Sequence, residues 1–121
     1  MYEIKVKSDF SSAHNLRNYS GKCEKLHGHN WIVEAVFRYK NLDRAGLAVD
    51  FRIAKKALKD VTEELDHAYI NEIKSFRSTN PTSENIARFI YGRLKKKIKN
   101  THSVAVWENE NSCAVYSQVK R

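Results

Sequence analysis

At 121 residues, 41% hydrophobic and 30% charged, the chain has the size of one compact domain and no sign of a second core. Four Gly, one Pro and no Ser/Gly-rich stretch leave no linker, repeat or low-complexity segment, so residues 1–121 are expected to form a single domain. No apolar run reaches membrane-spanning length, and the start MYEIKVKSDF alternates polar with apolar residues where a secretion signal has a basic start and an apolar run; a soluble, cytoplasmic protein is expected.

From Tyr2 to His14 the apolar residues Tyr2, Ile4, Val6 and Phe10 fall on even positions and Glu3, Lys5, Lys7 and Asp9 on odd ones, the period of a half-buried strand with His14 on its buried side. A polar loop with Asn15, Asn18, Ser20, Gly21 and Lys22 follows. Alternation then resumes with His27, His29, Trp31, Val33, Ala35 and Phe37 on one face. Asp50 is placed to cap a helix running through Leu65, with Ile53, Ala57, Val61 and Leu65 as its inward stripe. Pro81 with Thr82 or Ser83 signals a second helix, whose apolar stripe is Ile86, Phe89, Ile90, Leu94 and Ile98. Lys95, Lys96, Lys97 and Lys99 crowd its end, where the helix dipole favours cations. Two strands close the chain, Ser103–Glu108 and Cys113–Val119, around the turn-prone Asn109–Ser112. The order ββααββ predicts an α+β fold: an antiparallel four-stranded sheet with two helices on one face.

The chemistry concentrates in a few residues. His27 and His29 share a strand face, and His14 lies on the buried face of the strand expected to pair with it, so three imidazoles can converge. Three protein nitrogens leave an open position on a metal, the arrangement of catalytic zinc, where the metal can polarise a substrate oxygen. Taken alone, His-Gly-His is as readily an exposed turn. Cys23, four residues before His27, is a fourth ligand, an inert thiol or a base held near the metal, and spacing does not separate the first from the last. Asp66-His67 offers a carboxylate-oriented imidazole that can assist a thiolate, although by itself it is an ordinary polar helix end. Glu108 ends the apolar run VAVWE, where a carboxylate can accept two parallel hydrogen bonds from a guanidine-like ligand edge; an exposed strand end is the commoner case. His102 reads as surface and Cys113 as packing, and both cysteines, in a chain that needs no disulfide, read as free thiols.

The net charge of +8 favours a polyanionic partner: nucleic acid, an anionic membrane surface or a phosphorylated small molecule. Arg17, Lys22 and Lys25 flank the metal loop and are candidates to contact phosphates. A zinc-stabilised, basic nucleic-acid-binding domain, with Trp31 and Trp107 as stacking residues, is the non-enzyme reading and ranks low.

The ordered motifs FSSAH, CEKLHGHN, LDHAYIN, NPTSENIA and VAVWEN resemble the 6-pyruvoyl-tetrahydropterin synthase family over nearly the whole chain. That resemblance implies the tunnelling fold, whose subunits join their sheets into a barrel, here a homo-oligomer, a hexamer, with active sites shared between subunits. It implies Zn2+ on His14, His27 and His29, Cys23 as proton acceptor, Asp66 and His67 as relay partners, and Glu108 as pterin anchor and relay member. The three residues between Cys23 and His27 look like the shorter bacterial 6-carboxytetrahydropterin synthases of the queuosine pathway. Asn109 and Trp107 depart from the family pattern beside Glu108. The implied activity is a lyase reaction converting 7,8-dihydroneopterin triphosphate to 6-carboxytetrahydropterin with release of acetaldehyde and triphosphate. The alternatives within the family are 6-pyruvoyl-tetrahydropterin synthesis and a dihydroneopterin-type aldolase cleavage.

Overall fold

The computed structural model describes residues 1–18 and 25–118. Its frame is a long antiparallel pair, β1 (Tyr2–His14) and β2 (His27–Tyr39), in register from Tyr2↔Tyr39 to His14↔His27. Even residues of β1 therefore stand opposite odd residues of β2, and both sets face inward. Val6, Phe10 and His14 meet Ala35, Trp31 and His27 on that buried face.

β4 (Thr101–Asn109) pairs antiparallel with β2, with Val33 opposite Val106, and β5 (Ser112–Ser117) pairs antiparallel with β4. The sequence leads to four antiparallel strands, whereas the sheet has five and is mixed, in the order β3-β1-β2-β4-β5. The extra strand, β3 (Ala68–Tyr69), runs parallel to β1, with Ser12 opposite Ala68. Two residues are too few to show a period. The segment is pinned by the turn before it: His67 adopts a left-handed backbone (φ 51°) and its N–H donates to the Ser11 carbonyl at 2.6 Å. The last strand ends at Ser117, short of the expected Val119, which lies outside the described residues.

Both helices cover the inner face, α1 (Phe51–Glu63) against β1 and α2 (Ser83–Lys97) against β4 and β5. Asp50 caps α1 as expected, accepting from the Arg52 N–H at 2.8 Å, but Ile53 is 59% exposed. The buried stripe is Ala54, Ala57, Leu58 and Val61. A strict four-residue repeat turns by about 40° per step on a 3.6-residue helix, so a stripe centred on Ala57 and Val61 carries Ile53 off the core side. Leu65, at the other end of that predicted series, is buried beyond the helix. In α2, Thr82 Oγ1 accepts from the Asn85 N–H at 3.1 Å, and Ile86, Ala87, Ile90 and Leu94 are buried. Each such aliphatic side chain larger than alanine contributes about 1.5–3 kcal/mol of hydrophobic stabilisation.

One hydrophobic cluster runs between helices and sheet and takes in Phe10, Trp31, Phe37, Leu58, Ile90 and Val106. Trp31 is fully buried, which removes it as a stacking residue for nucleic acid. Among the described residues no helix is long and apolar enough to cross a membrane.

Candidate metal centre

The register of β1 and β2 decides the site. Because His14 pairs with His27, and Ser12 with His29, all three imidazoles meet at one end of the inner face. Ring centroids lie 4.7 Å apart for His14–His27 and His27–His29, and 5.5 Å for His14–His29. Trp31 closes the floor with edge contacts to His14 and His29. Its Nε1–H donates to the Ser12 carbonyl at 3.4 Å.

Two of the rings are oriented from behind. His14 Nδ1 lies 2.7 Å from the Pro81 carbonyl oxygen and His27 Nδ1 2.9 Å from that of Lys25. A carbonyl only accepts, so in each ring Nδ1 carries the proton and Nε2 of the neutral imidazole presents a lone pair to the centre. This backing is the usual arrangement behind a metal-bound histidine. It joins the loop before α2 to β1, and α2's cap at Thr82 fixes Pro81 from the other side.

The two Nε2 atoms are 3.1 Å apart, and the carboxylate of Glu108 enters the same space. Its Oε1 is 2.9 Å from His29 Nε2, 3.1 Å from His14 Nε2 and 3.8 Å from His27 Nε2. The four ligand atoms lie within 4.8 Å of one another. Acceptors converging this closely repel unless a cation stands among them. A proton serves a pair of nitrogens; three nitrogens and an oxygen suit a metal. Bonds of about 2.0–2.1 Å in a tetrahedral zinc site separate neighbouring ligand atoms by about 3.3 Å, close to the spacings here. The residues present therefore fit the zinc that the sequence suggests.

Glu108 was read from the sequence as an anchor for a ligand edge, and its approach to the histidines was missed. It is also one wall of a neighbouring cleft lined by Ser83, Glu84, Ser112 and Cys113. Cys113 is exposed there and not a packing residue, since it alternates with the sheet's inward positions at the short edge strand. Glu84 had no signal of its own, being an ordinary acidic residue in a helix's first turn.

Among the described residues, Asp66 and His67 are not part of this cluster. Asp66 Oδ1 accepts from the Ser11 N–H at 2.8 Å, which fixes the carboxylate beside β1, three residues before His14. The His67 side chain is 84% exposed, with Nε2 3.6 Å from Asp66 Oδ2. Cys23 and Lys22 lie outside the described residues. Arg17, a candidate phosphate contact, is committed elsewhere. Its guanidinium donates to the carbonyls of Asn71, Phe76 and Thr79, at 3.1, 2.7 and 3.2 Å, and ties the chain after β1 to the segment before α2.

Comparison with known proteins adds the family. Residues 3–119 match the family model described as 6-pyruvoyl tetrahydropterin synthase. A 6-carboxy-5,6,7,8-tetrahydropterin synthase from Synechocystis is 36% identical, over 96% of this chain and 93% of that protein. A dihydroneopterin monophosphate aldolase from Pyrococcus furiosus is 32% identical, over 87% and 88%. The solved 6-pyruvoyl tetrahydropterin synthase of Caenorhabditis elegans superposes with a TM-score of 0.85 at 22% identity, covering 98% of this chain and 96% of that one, which shows the shared fold.

Proposed function

The chain belongs to the 6-pyruvoyl tetrahydropterin synthase family, and from that premise we propose that it is a zinc-dependent 6-carboxytetrahydropterin synthase. It converts 7,8-dihydroneopterin triphosphate to 6-carboxytetrahydropterin and releases acetaldehyde and triphosphate, as a step toward queuosine. The observation that carries the reading is the convergence of His14, His27 and His29, two of them backed at Nδ1 by carbonyls, beside a cleft walled by Glu108. The choice of product rests on the resemblance of the Cys23–His27 spacing and on relatives such as the Synechocystis protein.

In this reading His14, His27 and His29 hold the zinc, which when bound polarises a side-chain oxygen of the substrate. Glu108 accepts hydrogen bonds from the amino-pyrimidinone edge of the pterin and so sets the ring's position. Cys23 takes a proton from the side chain. Asp66, held by the Ser11 N–H, steadies His67, which passes protons to and from the thiolate.

The enzyme is proposed to work as a single-domain chain assembled into a cytoplasmic homo-oligomer, a hexamer, with sites shared between copies. Supporting this are the exposed His67 and the edge strand β5, whose Val115 is 62% exposed. Such an edge invites pairing with another chain.

The test is the product mass after zinc-loaded protein is incubated with 7,8-dihydroneopterin triphosphate. The 6-carboxy product supports the proposal. A hydroxymethylpterin points instead to the aldolase reading that the Pyrococcus furiosus relative favours, and a 6-pyruvoyl product to the synthase of the family's name. No conversion by the intact, zinc-loaded oligomer overturns this substrate assignment and points first to other pterins, then to the binding-protein reading.

A further inference from the structure

Glu108 stands in two places at once. One of its oxygens lies among the three histidine Nε2 atoms, at 2.9, 3.1 and 3.8 Å, where a fourth ligand of a tetrahedral metal belongs. The same side chain walls the cleft with Ser83, Glu84 and Cys113. A guanidine-like ring edge takes a carboxylate through both oxygens, in two parallel hydrogen bonds. Each carboxylate oxygen has two lone pairs, and a ring edge that takes one from each oxygen also fixes the plane of the group, so full engagement of the ring competes with Oε1 remaining against the histidines.

Resting on the metal and pterin assignments above, we infer that Glu108 serves the two sites by turns. In the empty enzyme it is the fourth protein ligand and closes the metal. When a pterin ring enters the cleft, its edge draws the carboxylate away and uncovers the coordination position that the substrate's side chain then needs. Recognition of the ring and opening of the metal become one event. A closed four-ligand site has the character of structural zinc and resists small ligands, whereas a three-ligand site accepts them. The exchange keeps the metal protected until a pterin is bound.

Glu108 is suited to such movement. Its side chain is one-third exposed, and it lies near the end of β4 where pairing with β5 is irregular, between Trp107 and Asn109. His14, by contrast, is 3% exposed and donates its Nδ1–H to the Pro81 carbonyl.

The experiment uses the intact protein loaded with Co2+, whose visible spectrum reports coordination, and azide as the competing ligand. The bare pterin ring, which lacks a side chain to bind the metal, is the trigger. In the unaltered protein azide alone should leave the spectrum unchanged, and adding pterin should admit azide with at least about tenfold tighter apparent affinity, the change that accompanies exposure of a coordination position. In Glu108→Gln azide should bind without pterin. Glu108→Asp, which keeps the charge but shortens the reach, should behave like Glu108→Gln. Azide binding to the unaltered protein as tightly as to both variants overturns the inference while leaving the metal site standing. Pterin that binds without admitting azide also overturns it. Failure of the unaltered protein to take up Co2+ overturns the metal assignment and the inference together.

Discussion

His14 and His67 flank the same end of β1 and are held in opposite ways. His14 is 3% exposed, with one ring nitrogen on the Pro81 carbonyl and the other 3.1 Å from both His27 and Glu108. His67 is placed by its main chain, through the N–H bond to Ser11 and a left-handed turn, while its imidazole is 84% exposed beside Asp66. The metal end is thus preorganised within one chain. The Asp66–His67 pair, proposed above as the relay, is positioned by the main chain but leaves its imidazole open to solvent. A neutral imidazole fixed at Nδ1 has its lone pair aimed before the metal arrives, which lowers the entropy cost of binding it. An exposed imidazole has no such orientation.

That contrast can be broken most severely at the metal end. His27→Ala or His29→Ala should reduce bound zinc from about one per chain to below about a tenth and abolish turnover, measured as metal content after gel filtration and product formation; full zinc in either variant would dissolve the proposed centre. Cys23→Ala should lower turnover by about 10²–10⁴-fold, the usual worth of a general base, with zinc retained. Loss of zinc together with activity would instead make Cys23 a ligand. His67→Asn, chosen because asparagine tolerates the left-handed backbone, should cost turnover about 10²-fold. Its zinc content should not change, and its stability should stay within about 0.5 kcal/mol because the imidazole is exposed. A large fall in melting temperature would show that the ring packs somewhere in the assembly.

Smaller effects sharpen the comparison by testing what holds the metal end from behind. Arg17→Ala releases three carbonyls and should cost about 1–3 kcal/mol in denaturant unfolding, with zinc content kept under native conditions. An unchanged stability would mean that water satisfies those carbonyls equally well. Thr82→Ala removes the cap beside Pro81 and should cost about 1 kcal/mol, with little effect on turnover. A marked loss of zinc in that variant would tie the cap directly to the His14 backing.

The sequence by itself determined what is local and periodic. The side-chain alternation of Tyr2–His14 and His27–Phe37 placed all three histidines on the core face, because parity along a strand needs no knowledge of its neighbour. The caps at Asp50 and Thr82 and most of the α2 stripe follow from the same short-range chemistry. Only the tertiary structure decided how separate segments meet. Parity allows several registers two residues apart; the one formed stacks Phe10 on Trp31 within the core and sets His14 opposite His27. β3 is held by hydrogen bonds to β1 that its two residues cannot announce. Glu108 reaches His14 across 94 residues of chain. A contact at that separation is made by the folded sheet as a whole, through β2 pairing with both β1 and β4, and no spacing within either segment encodes it.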